Sequence, residues 1–258
     1  MIGGITMIFS SYTDIKTKNS NMKIIVLSNT KYKENDVIYD AISETESVSF
    51  KAYRGQDNKS EYVWLNNIMT IADVEFADRR YKYPTLKEAK LISSSIGGGD
   101  PLEYLYTLSA LSEVTTKMFQ PEERHIVFKE LEAVLTALKS KKDYLLLNLL
   151  YIAKAIKLSG AELEVNKCVF CGSTHDIVSF SFSDGGFVCR NCIGNSEPTS
   201  LSTNQMRLIR YIFKSPDYSC IASEKYTKED KIEVMKALVE FISDYLGVVI
   251  TSVSNLYI

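Results

Sequence analysis

The chain has 258 residues, 45% of them hydrophobic and 24% charged, which is the balance of an ordinary soluble protein with room for one to three domains. A net charge of −2 leaves no global field to draw the chain to nucleic acid or an anionic membrane, so any such binding must come from local patches. Five cysteines, four of them in two close pairs, exclude a dense secreted disulfide scaffold and point to a metal in a reducing compartment.

The apolar stretch at the N-terminus, within MIGGITMIFSSYTDIK, is about half the length of a membrane span, and it lacks a basic leader and a small-residue cleavage site. A cytoplasmic protein is expected. Residues 1–21 precede the first regular pattern and form a possible extension.

The next segments predict short strands. Lys23–Leu27 is apolar and branched, and Lys31–Asp36 reads as a polar turn before Val37–Ile42. Val48, Phe50 and Ala52 alternate with Ser49, Lys51 and Tyr53. Ile68–Phe76 and Ala89–Ile92 follow. Strands at about ten-residue spacing suggest a small barrel or sandwich.

Helical periodicity begins after Gly97-Gly98-Gly99, which reads as a hinge between domains, with Asp100 as cap and Pro101 in the first turn. Leu102, Leu105, Leu108, Leu111, Val114 and Met118 mark one apolar face. Ile126, Val127, Leu131, Val134, Leu135 and Leu138 mark a second helix, with Lys139, Lys141 and Lys142 as a solvated basic end. A third helix, through Leu145, Leu149, Ile152, Ala153 and Ile156, is apolar on most faces and should lie at the centre. Two later helices run from Thr203 to Lys214, capped by Ser202, and from Lys228 to Leu246, capped by Thr227 with Asp230 three residues on.

Between the third and fourth helices lie Cys168-x2-Cys171 and Cys189-x2-Cys192, seventeen residues apart. Two residues between ligands let one tight turn present both sulfurs to one ion, and zinc favours four such ligands at tetrahedral corners. Gly172 suits the turn after the first pair. Ile177–Phe182, Asp184-Gly185-Gly186 and Phe187–Val188 read as a hairpin that brings the second pair back to the first. The pattern is a zinc ribbon holding one structural zinc ion. A closed set of four thiolates leaves no position for catalysis. His175 is expected to be a loop residue, and Cys220 a lone, partly buried thiol.

Strands, then helices, then NKCVFCGSTHDIVSFSFSDGGFVCRNC within the helical half, resemble the bacterial DNA repair protein family RecO in its zinc-bearing form. Ile25-Val26-Leu27 with Tyr32, Glu34 and Asp36 resembles that family's first strand and Tyr-Gly-Glu-x-Asp turn, and Arg54-Gly55 with Lys59-Ser60 resembles its basic loop. The resemblance covers about residues 22–250. It implies an α+β protein: an N-terminal OB-fold β-barrel over residues 1–95, then a helical domain over 96–258 with the zinc ribbon inserted at 166–195. It also implies a recombination mediator, not an enzyme, that binds single-stranded DNA, anneals strands and helps load the recombinase. Its implied partners are the single-strand-binding protein and a RecR-like protein.

On loops that the resemblance makes relevant, the candidate DNA contacts are Lys31, Lys33, Arg54 and Lys59. The run Arg79-Arg80-Tyr81-Lys82-Tyr83 adds Arg79, Arg80 and Lys82, and Tyr32 and Tyr53 could stack bases. Arg207, Arg210 and Lys214 recur at helical spacing and form either a basic stripe or, on the plainer reading, an exposed helix face. The chain departs from the family pattern where Lys33 replaces the turn glycine. Residues 22–90 carry eleven basic and eleven acidic side chains. That neutrality keeps open a second reading, a repair scaffold with weak or lost DNA binding. No GxxxxGK[ST] loop or HExxH pattern occurs, and two histidines give a histidine-based triad little to work with.

Overall fold

The computed structural model describes residues 21–57, 59–77, 82–96, 101–140, 143–197, 199–220 and 222–257. The expected features at 1–20, Arg79, Arg80, Tyr81, Gly97–Asp100, Lys141 and Lys142 lie outside the described residues.

Five antiparallel strands form the first unit: β1 (Met22–Tyr32), β2 (Asp36–Ile42), β3 (Ser47–Ala52), β4 (Ile71–Phe76) and β5 (Leu86–Ser93), in the order β3-β2-β1-β4-β5. A bulge between Val26 and Ser28 bends β1. Its first half can then pair with β4 and its second half with β2, with Ile25 opposite both Ile42 and Ile71. A parallel bridge, Lys51 to Thr85, closes β3 onto the start of β5, with the Lys51 N–H donating to the Pro84 carbonyl at 2.9 Å. This is the partly open five-stranded Greek-key barrel of an OB-fold.

Strict alternation fills the barrel. Val37, Tyr39 and Ala41 of β2 and Val48, Phe50 and Ala52 of β3 point inward, with Ile24, Val26, Val74 and Phe76 opposite. Tyr39 stacks on Phe50 at 5.2 Å, and its hydroxyl donates to Asn66 Oδ1 at 2.7 Å. A 3₁₀ turn, Val63–Asn66, presses Leu65 into one end of the barrel.

β1 runs eleven residues, not the five of the apolar stretch Lys23–Leu27. Its polar half, Ser28–Tyr32, pairs with β2 as an exposed arm, and the turn shrinks to Lys33–Asn35. Backbone pairing carries the strand past the point where its side chains stop being apolar.

The helices are α1 (Leu102–Met118), α2 (Phe128–Leu138), α3 (Tyr144–Leu158), α4 (Thr203–Lys214) and α5 (Lys228–Leu246). α3 is central: ten consecutive-to-near residues from Leu146 to Ile156 are buried. Asp143 caps it by accepting from the Leu146 N–H, and it also binds Lys231 of α5. Capping boxes start α4 (Ser202, Gln205) and α5 (Thr227, Asp230), and Gly247 ends α5 in the left-handed region at φ 67°. α1 buries Leu108, Leu111 and Val114 of its expected face and departs from it only in its first turns. Pro101 holds the cap position, Leu102 and Leu105 are exposed, and Tyr104 and Thr107 are buried. Polar partners set these turns: the Tyr104 hydroxyl donates to the Ser95 carbonyl at 2.6 Å, and Asn148 Nδ2 donates to Thr107 Oγ1 at 3.1 Å. Lys139 is exposed, as expected, and donates to Ser93 Oγ of β5.

Barrel and helices share a core. Ile25, Leu27, Ile42, Met69 and Ile71 pack with Leu108 and Leu111 in one buried cluster. Arg124 locks the seam, with Nη1 on Asp40 Oδ2 at 2.8 Å and Nη2 donating to the Thr116 carbonyl at 2.9 Å. The Ser112 hydroxyl donates to the Leu27 carbonyl at 2.8 Å.

Candidate metal centre and nucleic-acid interface

The cysteine pairs are brought together by β6 (Ile177–Ser181) and β7 (Gly186–Cys189), an antiparallel hairpin. The sulfurs of Cys168, Cys171, Cys189 and Cys192 all lie within 4.8 Å of one another, with Cys171 Sγ and Cys189 Sγ 3.6 Å apart. A tetrahedral ion with sulfur at about 2.3 Å holds its ligands about 3.8 Å apart, so the set is of the size that closes on one metal. Gly172 makes the first turn at φ 71°, and its N–H donates to the Cys168 carbonyl at 2.9 Å. In the second pair the Cys192 N–H donates to the Cys189 carbonyl at 3.0 Å.

The thiols cannot all ionise side by side without a cation. Partial burial and the three neighbouring sulfurs push Cys192 up to about 12. Burial works against the Cys168 thiolate too, yet the amides of Cys171, Cys189 and Phe170 hold it down at about 6. One metal ion would satisfy both demands. The four residues therefore fit a metal in a closed, ligand-saturated site. His175 is exposed and outside the cluster, and Cys220 is buried elsewhere.

The hairpin is fixed to the helices by aromatic packing. Phe180 meets Phe182 at 4.8 Å and Phe187 at 5.4 Å, and Phe182 meets Phe241 of α5 at 5.4 Å. A Cβ on Gly186 would lie 2.3 Å from the Glu164 carbonyl oxygen, so this position accepts only glycine without a shift of backbone.

On the barrel, a groove of about 540 Å³ lies over the β3–β5 closure, lined by Tyr32, Ile38, Lys51, Tyr53, Lys82, Tyr83 and Thr85. Ile38 and Lys51 are cross-strand neighbours on the outer face, and Tyr32, Tyr53 and Tyr83 surround them. All three tyrosines are exposed, Tyr53 most of all at 61%. Each carries a lysine ammonium near its ring: Lys33 at 5.6 Å from Tyr32, Lys51 at 4.1 Å from Tyr53 and Lys82 at 5.3 Å from Tyr83. Lys51 also donates to the Tyr53 hydroxyl at 2.9 Å, which lowers that phenol and raises the lysine. Flat aromatic faces with ammonium groups beside them match the needs of a single strand, whose bases stack and whose phosphates want cations.

Of the residues expected to touch DNA, Lys82 lines this groove and Lys33 edges it. Lys31 pairs with Val37 and so points to the opposite face of the hairpin arm from Tyr32. Arg54 and Lys59 sit on the adjoining loop, both tied to Asp57: Arg54 Nη2 to Oδ2 at 2.8 Å, and the Lys59 N–H to Oδ1 at 2.9 Å. Lys51 was not among the sequence candidates. The signal for it was its place two residues before Tyr53, on the outward phase of an alternating strand. Its neighbours Tyr32, Tyr83 and Thr85 come from distant parts of the chain, so the cluster itself had no local signature.

The chain matches the family described as recombination protein O, C terminal, over residues 100–252. It is 22% identical over 225 residues to the DNA repair protein RecO of Halalkalibacterium halodurans, covering 86% of this chain and 88% of that one. It is 26% identical over 231 residues to the DNA repair protein RecO of Thermoanaerobacter sp., covering 87% and 91%. To the DNA repair protein RecO of Bifidobacterium animalis subsp. lactis it is 32% identical over 114 residues, covering 42% and 47%. With the family match spanning more than half of its length, this chain belongs to the recombination protein O (RecO) family.

Proposed function

We propose that this protein acts in DNA repair as a non-catalytic recombination mediator that binds single-stranded DNA on the barrel groove. The observation that carries the reading is the cluster of three exposed tyrosines with Lys33, Lys51 and Lys82 beside their rings. Bases would stack on the rings, and the lysines would neutralise the backbone between them. Arg54 and Lys59 would extend the path, with Lys31 available only to a strand that passes round the arm, and Arg79 and Arg80 are further candidate contacts by their sequence alone. Annealing of two strands, loading of the recombinase and contact with a single-strand-binding protein and a RecR-like protein complete the proposal, in the cytoplasm. Among the described residues, no helix is long and apolar enough to cross a membrane.

The metal would be one zinc ion held by Cys168, Cys171, Cys189 and Cys192. It would supply no chemistry beyond fixing the hairpin, since four thiolates fill its coordination.

The test is fluorescence anisotropy with a labelled single strand across a salt series. Lys51→Ala with Lys82→Ala should flatten the slope of log affinity against log salt by about 1.4, at about 0.7 per phosphate contact. Arg54→Ala with Lys59→Ala should do less, because Asp57 already shares the charge of Arg54. An unchanged slope in the Lys51/Lys82 variant sinks the groove. The scaffold reading is favoured by one observation, the Arg54–Asp57 pairing in a barrel of balanced charge, and tight binding at moderate salt would remove it.

A further inference from the structure

Nine of the described cations of this chain are held by carboxylates: Lys23, Lys87, Lys117, Lys129, Lys154, Lys231, Lys236, Arg54 and Arg124. Away from the barrel groove, four described cations without such partners line one groove. This groove, of about 500 Å³, runs between α4 and the segment 215–226. Arg207, Arg210 and Lys214 line it from successive turns of α4, and Lys225 faces them from the segment. Among the described residues, none of the four is ion-paired; Lys214 donates only to the neutral Asn166 Oδ1, at 2.8 Å. The floor is aromatic: Tyr211 and Tyr226 lie 6.1 Å apart, and the Tyr226 hydroxyl donates to the Arg207 carbonyl at 3.3 Å.

Three features oppose an anion here: Asp217 on the rim, the negative end of α4, and Asp230 of α5, whose charge reaches Tyr226. The helix end carries about half a charge, so four cations against two carboxylates and that half leave roughly +1.5. The sign is settled. The occupant is an anion that repeats along a line, because Arg207, Arg210 and Lys214 are spread over two helical turns, about 10 Å at 1.5 Å per residue. Adjacent phosphates of an extended strand, with bases that can lie on Tyr211 and Tyr226, meet both demands.

We propose that this groove is a second nucleic-acid site, which holds the phosphate backbone of a single strand on the helical domain while the barrel groove holds another. The inference rests on the reading that the protein handles single strands, and it gives that reading a way to bring two together. Two strands held by one chain lose the charge repulsion that keeps them apart before their bases meet.

The experiment uses the full chain and two oligo-dT strands, which cannot pair with each other, one carrying a donor dye and one an acceptor. Wild-type protein at a concentration below that of either strand should bring the dyes together, giving energy transfer and a stoichiometry of two strands per chain. Arg207→Gln, Arg210→Gln and Lys225→Gln together should abolish the transfer and reduce the stoichiometry to one, leaving the tighter binding phase in place. A variant of Tyr53→Ala with Tyr83→Ala, run in parallel, should lose the tighter phase and keep the weaker one. Two strands bound by the groove variant, with transfer intact, overturn the proposal. So does a groove that takes a poly-glutamate chain while oligo-dT stoichiometry is unaffected by the substitutions, which would make it a site for an acidic protein segment. Failure of the Tyr53/Tyr83 variant alone to change binding counts against the barrel groove and leaves the helical groove standing on its own data.

Discussion

Lys33 sits at the tip of the β1–β2 arm with φ 55°, and it occupies the turn position where the family resemblance calls for glycine. The left-handed conformation costs an L-residue about 1–2 kcal/mol, and glycine escapes most of it. Lys33→Gly should therefore leave the melting temperature unchanged or raise it slightly, by differential scanning calorimetry, while weakening strand binding through loss of the cation beside Tyr32. A marked fall in stability would show that the lysine side chain holds the turn. Glu113 is a second residue whose effect can be computed from its contacts. Its carboxylate accepts from Lys117 at 2.6 Å, from the Thr251 N–H and hydroxyl at 3.0 Å each, and from the Ser252 N–H at 2.6 Å. Against the burial that would raise it, these donors hold the group down at about 2 from an ordinary 4.5. The unfolded chain therefore takes up the proton first. The stabilisation is fully present above about pH 4.5 and drains away as pH falls toward 2. Glu113→Gln should cost about 1.5–3 kcal/mol at neutral pH and flatten the acid limb of the stability curve. Equal acid sensitivity in the variant would contradict this.

At the scale of elements, what could be read from sequence follows how local the cause is. α4 and α5 begin where Ser202 and Thr227 put them, because a cap and its partner three residues on are all within one turn. The cysteine hairpin was legible for the same reason: spacing, a glycine turn and alternating apolar residues sit in one short segment. The second half of β1 was not, since Ser28–Tyr32 has no apolar face and is held by backbone pairing with β2. The first turns of α1 were misplaced, while Leu108, Leu111 and Val114 are buried as their spacing predicts, because Tyr104 and Thr107 bury polar side chains whose partners, Ser95 and Asn148, lie outside the helix. Metal removal is the test that belongs here. The hairpin carries Phe180, Phe182 and Phe187 onto the helical core, so loosening the four sulfurs should free that packing. Chelation, or Cys171→Ser with Cys192→Ser, should lower the melting temperature by several degrees, at about 2–4 °C per kcal/mol for a chain of this class. The barrel groove should keep its affinity for a strand. An unaltered melt would mean the sulfurs hold no structural ion.

For the whole molecule, the barrel and the helices share one buried cluster and a polar seam at Arg124, so the barrel is not a bead on a string. Arg124→Ala would leave Asp40 Oδ2 and the Thr116 carbonyl without the guanidinium that serves both, and it should cost about 2–4 kcal/mol in chemical denaturation. A single cooperative transition should persist. The groove over the β3–β5 closure shows why fold and function differ in legibility. Tyr32, Lys51, Tyr53, Lys82 and Tyr83 meet only after Lys51 bridges to Thr85 and the barrel closes. Charge counting along the chain gave a neutral domain, whereas the folded surface segregates lysines onto tyrosine rings and pairs Arg54 with Asp57 nearby. The measurement that tests the central claim most directly is the affinity of Tyr53→Ala with Tyr83→Ala for a labelled single strand at moderate salt. At about 1–3 kcal/mol per stacked base, binding should weaken at least about tenfold, with the salt slope unchanged because no charge has been removed. Wild-type affinity in that variant would contradict the assignment of the groove.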